Sequence, residues 1–349
     1  MRKDTIVFMC SPDTRRMNAR RAIGSVKSTD LSRAEFYLID NGHDPQFNHS
    51  AVMNDMLRHA ERAGRNLVIL DDDVEIHEYD WVNRLYTAAD DLDADIVGCV
   101  HTDDGGVVNH MGIVVGHDGL TESLFDFRHD PQWVRNHATY VPTLCSAIML
   151  IREPSRYVID ASYKKYFQDL DVCMQAWSQD RRVGIALDLR LIHIGGATGN
   201  RNPQAARFLG EDLHRFNTRW QSSLDRLYGW PELRQYGRIS RSAGWMHEFM
   251  RASRLRFVDP AAARAIYERI VAESYAPEYV AGSHFHLHGL TGDITHLVRC
   301  NEVNPCHQAA RTQLEAAGVA VSRRCMNGID CRSCYFGPQA AARPASRTA

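Results

Sequence analysis

Short apolar runs alternate with amphipathic stretches from the start of the chain to about residue 200. Apolar runs of about four to eight residues are typical of buried strands, whereas apolar residues that recur about every three or four positions are typical of helices. The pattern predicts strands at 5–9, 35–39, 66–70, 95–100, 107–115, 140–151 and 183–194, and helices at 17–26, 50–63, 81–92 and 163–179. This alternation predicts an α/β fold with a mostly parallel sheet flanked by helices, in which ligands bind beyond the carboxyl ends of the strands.

The composition changes beyond Gly199, where the chain becomes rich in Arg, Glu and Trp. Helical periodicity at 207–227, 243–254 and 260–272 predicts a helical region, and Pro260 stands at a first helical position, where proline is tolerated. We therefore expect a sheet domain at residues 1–200 and a helical extension at 201–280. A Cys- and His-rich tail would follow at 281–337, and a disordered end at 338–349.

The overall composition is that of a soluble globular protein, with 44% hydrophobic and 24% charged residues. The 41 Lys and Arg residues nearly balance the 43 Asp and Glu residues, and this formal net charge of -2 argues against nucleic acid as a partner. No apolar run approaches the roughly 20 residues of a membrane-spanning helix, and the run at 5–9 is too short for a signal peptide. We expect a cytoplasmic protein without a transmembrane segment, and peripheral contact with the inner face of a membrane stays open.

Three consecutive carboxylates, Asp71, Asp72 and Asp73, follow the apolar strand pattern at 66–70. Neighbouring carboxylates repel one another, and burial increases that cost unless a cation or hydrogen bonds compensate for it. A divalent cation that prefers oxygen ligands, Mg²⁺ or Mn²⁺, would relieve the repulsion, and a nucleotide diphosphate would supply further ligands. From this segment alone, the alternative is an acidic, solvated loop.

Two later segments carry further candidate chemistry. Asp169 and Asp171 lie two positions apart in a predicted helix, so they point to different faces, and one of them could serve as a general base. Their alternative role is to place negative charge in the first turn of the helix, where it suits the helix dipole. His193 leaves an apolar strand just before Gly195 and Gly196, where its imidazole could bind Mn²⁺ or act as a hydrogen-bonded structural residue.

In this order and at these separations, the segments resemble the inverting GT-A glycosyltransferases of glycosyltransferase family 2, from about residue 6 to residue 198. Asp71 and Asp73 match the two acids of the Asp-x-Asp segment of that family. Residues 166–173 match its Glu-Asp-x-Asp-Leu-Cys pattern, with Gln168 in place of Glu. Residues 97–98 and 112–116 are similar to its middle strands. Residues 145–152 are similar to the segment before its acceptor region, and residues 193–196 to its His-containing segment. The resemblance implies a Rossmann-like GT-A fold for this part of the chain, followed here by the helical, Cys-rich extension.

The resemblance also implies roles for individual residues. Asp73 and His193 would bind the metal, with Asp71 at the metal or the ribose, and Asp169 would be the general base that deprotonates the acceptor hydroxyl. The donor would lie against six residues, with Asp40 at the nucleobase: Cys10, Ser11, Pro12, Asp40, Asp71 and Asp72. The first strand of the family usually ends in a Thr-Tyr-Asn type of segment, which this chain lacks, so the base preference stays open.

These implications describe metal-dependent transfer of a sugar from a nucleotide-diphosphate sugar to an acceptor hydroxyl, with inversion. The cofactor would be Mn²⁺ or Mg²⁺, and the partners would be a nucleotide-sugar donor and a glycan or glycolipid acceptor, as in cell-surface polysaccharide or glycoconjugate synthesis. Two alternatives stay open. One is a catalytically inactive nucleotide- or glycan-binding protein of this fold, and the other is a nucleotidyltransferase, although residues 11–16 make a poor phosphate-binding loop.

Five of the nine cysteines lie close together near the end of the chain, at Cys300, Cys306, Cys325, Cys331 and Cys334. The two-residue gap between the last two is the spacing at which a pair of thiolates binds one tetrahedral Zn²⁺ ion. The sequence predicts a structural zinc site in this tail as one alternative, and free thiols or a disulfide as the others.

Overall fold

The computed structural model describes residues 3–42, 48–104, 108–124, 137–194, 205–242, 244–274, 277–305 and 307–321. These residues form two compact units, and the division between the units lies at Gly237 and Arg238. All strands of the described chain belong to the first unit, and the second unit is helical. The domain limits expected from the sequence stay predictions, and the expected disordered end lies outside the described residues.

Eleven strands occur in the described part of the chain, and their bounds are β1 (Thr5–Ser11), β2 (Ala34–Asp40), β3 (Asn66–Leu70), β4 (Val74–Ile76), β5 (Ala94–Thr102), β6 (Val108–His110), β7 (Ile113–Val115), β8 (Thr121–Ser123), β9 (Ala138–Tyr140), β10 (Ile148–Ile151) and β11 (Arg182–His193). β7 and β8 pair with each other, and the other nine strands form one sheet. β1, β3 and β5 are buried along nearly their whole length, as is typical of interior strands covered on both faces.

The strand order of the large sheet is β2-β1-β3-β10-β5-β11-β4, with β6 beside β5 and β9 beside β11. β1 is parallel to β2 and β3, and β5 is parallel to β11. β10 is antiparallel to both of its neighbours, and β4 is antiparallel to β11. Five of the seven strands along this path therefore run in one direction, and their carboxyl ends meet at one edge. The predicted α/β class, with its mostly parallel sheet, is confirmed.

Helices fill the connections between the strands and continue beyond β11, with bounds α1 (Met17–Lys27), α2 (His49–Ala63), α3 (Trp81–Asp91), α4 (Gln168–Ser178), α5 (Ala205–Trp220), α6 (Leu224–Gly229) and α7 (Tyr236–Ser242). The sequence sets the ends of α2 locally. The Asn48 side chain accepts a hydrogen bond from the Ala51 N–H at its start, and Gly64 adopts a left-handed φ of 62° at its end. Met53 and Leu57 are buried on the inner face of α2, which packs against β1 and β3.

A fully buried carboxylate joins α4 to α5. Asp171 of α4 accepts hydrogen bonds from Tyr163 at 3.3 Å, Gln175 at 2.8 Å, Arg219 at 2.9 Å and Trp220 at 2.6 Å. Arg219 and Trp220 lie on α5. Burial raises the pKa of the Asp171 carboxyl, and the hydrogen bonds and the Arg219 charge act against that rise. The position of α4 therefore depends on α5.

A second buried carboxylate, Asp212 of α5, holds the segment before α4. It accepts the backbone N–H groups of Lys164, Lys165 and Tyr166 at 2.9–3.0 Å. Phe167 then takes a left-handed φ of 68° as the residue that precedes α4. The helix predicted from residue 163 therefore begins only at Gln168, because the left-handed conformation of Phe167 cannot be part of an α-helix.

The second unit contains α8 (Trp245–Leu255), α9 (Pro260–Glu273), α10 (Pro277–Thr291), α11 (Ile294–Val303) and α12 (Gln308–Ala316). Trp245, Tyr267 and Leu287 belong to a core between α8, α9 and α10, and Cys300 and Leu314 belong to a core between α10, α11 and α12. The predicted helical extension is confirmed, and α10 to α12 extend it into the part predicted as a tail. None of the described helices combines the length and the apolar character that crossing a bilayer requires.

We predict that Asp171→Ala lowers the free energy of unfolding by about 3 kcal/mol, because it leaves several buried donors without an acceptor. The loss stays moderate because the Arg219 side chain is 40% exposed and can be hydrated. Urea denaturation followed by circular dichroism measures the change. Glu211→Ala, which removes an exposed ion pair with Arg207 on α5, is the control and should leave the urea midpoint nearly unchanged. Equal effects of the two substitutions would contradict the anchoring role of Asp171.

Candidate active site

The acidic segment lies at the edge of the sheet where the carboxyl ends of the parallel strands meet. Asp71, Asp72 and Asp73 connect β3 to β4, and β11 runs antiparallel to β4. The backbone N–H of Ile194 donates to the carbonyl of Asp73 at 3.2 Å. This pairing brings the Nε2 atom of His193 to 3.3 Å from Oδ1 of Asp73. Two candidate segments far apart in the sequence therefore meet at this edge.

Asp71, Asp73 and His193 offer ligand atoms that all lie within 4.8 Å of one another. Burial raises the pKa of Asp71 to about 6, and the charges of Asp73 and Asp72 add to that rise, while His193 and Lys165 oppose it. Burial lowers the pKa of His193, but the hydrogen bond to Asp73 and the two acidic charges more than reverse this, so its pKa is raised. The group carries an excess of negative charge that a bound cation would compensate.

Asp169 lies in the first turn of α4 and binds different groups from Asp171. Its carboxylate accepts the N–H of Ser146 at 3.0 Å and the N–H of Leu170 at 2.9 Å. Burial raises the pKa of Asp169, these two hydrogen bonds lower it, and the nearby charge of Asp71 raises it further, with a net rise. The two acids of this helix have separate surroundings, as the helical geometry predicts, and Asp169 is the one close to the acidic segment.

Three of the predicted donor-binding residues, Cys10, Ser11 and Pro12, lie at the end of β1. The Ser11 hydroxyl donates to Oδ2 of Asp72 at 2.6 Å, and a guanidinium nitrogen of Arg16 lies 3.8 Å from the same oxygen. Burial raises the pKa of the Cys10 thiol to about 12, and neighbouring carboxylates, Asp72 first, add to the rise. The thiol is therefore protonated at neutral pH.

Asp40 is exposed at the end of β2, opposite Ser11 in the parallel register. Its carboxylate accepts the hydroxyl of Thr14 at 2.6 Å and the N–H of Gly42 at 3.0 Å. These hydrogen bonds, the one from Thr14 first, lower the pKa of Asp40. The ends of β2, β1 and β3, which are neighbours in the sheet, thus carry all of the predicted donor-binding residues.

Lys165 lies close to the acids and is not among the residues predicted from the sequence. Burial lowers the pKa of its ammonium group, and the charges of Asp71 and Asp73 act in the opposite direction, with a net fall. Its backbone N–H donates to Asp212 at 2.9 Å. The sequence holds no signal for this residue, because its position depends on the contact with α5.

A second set of close ligand atoms, also absent from the sequence predictions, consists of His101, Cys145 and His193. These atoms again lie within 4.8 Å of one another. His101 lies in β5, and Cys145 lies shortly before β10, the strand that pairs with β5. The sequence signal for this set was a histidine that directly follows the apolar residues of β5.

The predicted zinc-binding cysteines are only partly described. Cys300 is a free thiol, buried in the core between α10, α11 and α12. Cys306, Cys325, Cys331 and Cys334 lie outside the described residues. Among the residues that the structure describes, both sets of three metal-ligating side chains lie in the first unit. A zinc site in the tail stays a prediction.

No protein-family model matches the chain. Among curated proteins, it is similar to the O-antigen biosynthesis protein RfbC of Myxococcus xanthus, with 26% identity over 188 residues. This match covers 48% of the chain and 14% of RfbC.

Three solved structures are similar to the chain at low sequence identity. GalNAc-T7 with UDP, GalNAc and Mn²⁺ has a TM-score of 0.46 and 13% identity, over 78% of this chain and 55% of that chain. The mannosyltransferase PcManGT from Pyrobaculum calidifontis, in complex with GDP-Man and Mn²⁺, has a TM-score of 0.46 and 11% identity, over 90% of this chain and 88% of that chain. A197 from STIV has a TM-score of 0.36 and 15% identity, over 54% of this chain and 84% of that chain.

Proposed function

We propose that this protein is a GT-A glycosyltransferase that transfers a sugar from a nucleotide-diphosphate sugar to an acceptor hydroxyl, with a divalent cation held by Asp71, Asp73 and His193. One observation carries the proposal. Two carboxylates and an imidazole converge beyond the carboxyl ends of a mostly parallel sheet, and a third carboxylate, Asp169, lies beside them. The sequence resemblance to glycosyltransferase family 2 and the similarity to RfbC support the same class of reaction.

The ligand atoms suit Mn²⁺ or Mg²⁺. Carboxylate oxygens are ligands for both ions, and the imidazole of His193 favours Mn²⁺. When bound, the ion supplies Lewis-acid stabilisation of the charge that develops on the departing diphosphate. Asp71, with its pKa of about 6, and Asp73 would hold the ion in their ionised forms.

Asp169 would be the general base. The N–H groups of Ser146 and Leu170 fix the orientation of its carboxylate, and its raised pKa favours acceptance of a proton. As the acceptor oxygen forms its bond to the sugar, Asp169 would take the hydroxyl proton, and the diphosphate would leave with the electrons of the broken bond. Attack from the face opposite the diphosphate would invert the anomeric configuration.

The donor would lie along the ends of β2, β1 and β3. Asp40 is exposed and would accept a hydrogen bond from the nucleobase, and Cys10, Ser11 and Pro12 would line the nucleoside site. Asp72, which accepts the Ser11 hydroxyl, would lie at the ribose.

Lys165 would be a cationic contact for the diphosphate. Its ammonium group is half-buried and is close enough to Asp71 and Asp73 for their charges to affect its pKa. Asp212 fixes its backbone, and the flexible side chain would extend from there towards the diphosphate.

The proposed acceptor is a hydroxyl of a glycan or glycolipid in cell-surface polysaccharide or glycoconjugate synthesis. The role of RfbC in O-antigen biosynthesis supports this choice. A glycolipid acceptor would require the protein to work in the cytoplasm at the inner face of a membrane, where peripheral contact would suffice.

The proposed function is tested by binding of nucleotide sugars with different bases, measured as thermal shifts with and without Mn²⁺. Asp73→Asn should weaken Mn²⁺-dependent binding of the preferred donor by about 100-fold or more, because it removes a charged metal ligand. Asp90→Asn, at an exposed carboxylate that pairs with Arg152, should bind as the unchanged protein does. Undiminished Mn²⁺-dependent binding by Asp73→Asn would refute this metal site.

The same preparations distinguish the two alternative functions. Donor binding without hydrolysis or transfer would favour a binding protein. Pyrophosphate release from a nucleoside triphosphate and a sugar phosphate would favour a nucleotidyltransferase.

We predict that Asp169→Asn lowers the rate of sugar transfer by about 10²–10⁴-fold, because the amide cannot accept the proton of the acceptor hydroxyl. The dissociation constant of the donor should change by less than about threefold, since Asn keeps the shape of the side chain and one oxygen that accepts from Ser146 or Leu170, whose N–H groups bind different oxygens of Asp169. Transfer assays and donor titrations are compared on the same preparation. A parallel loss of donor binding and transfer would show that Asp169 does not act as the base.

We predict that Asp71→Asn stabilises the metal-free protein at pH 7.5, with a rise in Tm of about 2–4 °C. The folded pKa of Asp71, about 6, exceeds its ordinary value of 3.8, so ionisation costs folding free energy, and this cost is complete well above pH 6. The gain should therefore shrink as the pH falls from 6 towards 4, where Asp71 is protonated. Calorimetry across this range measures it, and a gain that is constant with pH would contradict the predicted cause.

A further inference from the structure

We propose a second metal site, for Zn²⁺, formed by His101, Cys145 and His193. Its three candidate ligand atoms, two of nitrogen and one of sulfur, lie within 4.8 Å of one another. Only His193 is shared with the oxygen-rich set of Asp71 and Asp73. The site itself does not depend on the proposed function, but its consequence for the sugar-transfer centre does.

His101 is the strongest single observation. Its side chain lies in β5 and is only 1% exposed, and both of its ring nitrogens are buried without a hydrogen-bond partner among the described residues. A buried polar group that lacks a partner is costly, so such a group is rare without a reason. Burial, with the neighbouring His110 and His193, lowers the pKa of His101 well below its usual range, so the ring is neutral. A neutral imidazole with an available lone pair is the form that binds a metal.

The surroundings of His101 fix the ring. His110 lies against it, with ring centroids 4.4 Å apart, and the ring of His193 stands edge-on at 5.3 Å. The backbone N–H of Cys145 donates to Nε2 of His110 at 3.4 Å. This bond connects the backbone of one candidate ligand to the ring that packs against the other.

Cys145 supplies the sulfur atom. Cys145 is half-buried, and desolvation of its thiol, with the nearby charges of Asp169 and other acids, raises its pKa well above the usual range, while a hydrogen bond from the Ala147 N–H to the sulfur acts in the opposite direction. A bound metal ion reverses such a shift, because coordination deprotonates the thiol.

The ligand set identifies the class of ion. Two imidazoles and one thiolate are ligands of Zn²⁺, whereas Mg²⁺ prefers oxygen. Zn–N bonds of about 2.0–2.1 Å and a Zn–S bond of about 2.3 Å give ligand separations of about 3.3–3.6 Å in a tetrahedron, so small side-chain shifts would close the set. Three protein ligands leave a fourth position for water.

Sharing of His193 couples the two sets of ligands. His193 lies 3.3 Å from Asp73 and is a candidate ligand in both. Zn²⁺ bound by His101, Cys145 and His193 would engage the imidazole that the oxygen-rich site requires. The two ions should therefore compete, and Zn²⁺ should act as an inhibitor of the proposed sugar transfer.

The site is tested with Co²⁺, whose bonds to thiolate absorb in the near ultraviolet. The full chain is used with the four cysteines of its tail changed to serine, so that they cannot contribute to the signal: Cys306, Cys325, Cys331 and Cys334. We expect about one equivalent of Co²⁺ to produce the thiolate band and Cys145→Ser to abolish it. Cys10→Ser changes another half-buried thiol near acidic groups and should retain the band. Absence of the band, or its persistence in Cys145→Ser, overturns the proposal.

His101→Phe tests the site without relying on cysteine. Phenylalanine keeps a ring against His110 and removes two buried polar atoms, so the metal-free variant should be at least as stable as the unchanged protein. In the same tail-substituted background, Zn²⁺ at about 100 times its Kd should raise the Tm by about 5–10 °C, and His101→Phe should lose this rise. A variant that keeps the Zn²⁺-dependent rise shows that His101 is a packing residue and overturns the proposal.

Competition is measured as release of bound Mn²⁺, followed by electron paramagnetic resonance of the free ion. One equivalent of Zn²⁺ should weaken Mn²⁺ binding by about tenfold or more in the unchanged site and should have little effect in Cys145→Ser. Equal displacement in both proteins would mean that Zn²⁺ enters the oxygen-rich site directly, and it would overturn the coupling. A protein that binds Co²⁺ through Cys145 but binds no Mn²⁺ would refute the proposed sugar-transfer centre and leave the zinc site standing.

Discussion

Repulsion between the consecutive carboxylates after β3 is the constraint on which the candidate active site depends. Each acid must be compensated separately if all three are to stay at the edge of the sheet. Asp72 has the hydroxyl of Ser11 and the charge of Arg16, and Asp73 has the imidazole of His193. Burial nevertheless raises the pKa of Asp72, and it raises the pKa of Asp71 to about 6. The molecule is therefore arranged so that one more positive charge at this position would be favourable.

The compensating groups come from distant parts of the chain and meet only through the fold. The pairing of β4 with β11 places His193 beside Asp73, and the pairing of β1 with β3 places Ser11 near Asp72. Asp169 reaches the same region because α4 begins where it does. Its start is set in turn by the buried carboxylates of Asp171 and Asp212. Long-range pairing of acids with their partners thus organises both the site and its support.

The elements with strong periodicity could be predicted from the sequence. The candidate metal-binding and catalytic residues that lie in them or directly after them could be predicted as well. The strand before Asp71, the separation of Asp169 from Asp171 and the final strand at His193 are examples. Lys165, His101 and Cys145 could not be predicted, because their positions near the acids result from contacts with other strands and helices.

The helices from 277 onward were missed for a different physical reason. α10 contributes Leu287 to one core and Ala281 to another, so its buried residues lie on more than one face. A helix that is covered on two sides loses the single apolar stripe by which an amphipathic helix is recognised. The many Cys and His residues of this part favoured the interpretation as a metal-binding tail.

The dependence of α4 on α5 has a consequence for how this protein could exchange parts with others during evolution. A crossover near residue 200 would preserve every acid and histidine of the candidate site, but it would replace Asp212, Arg219 and Trp220 with foreign side chains. The incoming helix would have to carry matching hydrogen-bonding groups, or the general-base candidate would lose its placement. The segment that must be inherited together is therefore longer than the set of active-site residues. It extends to about Gly237, where the first unit ends.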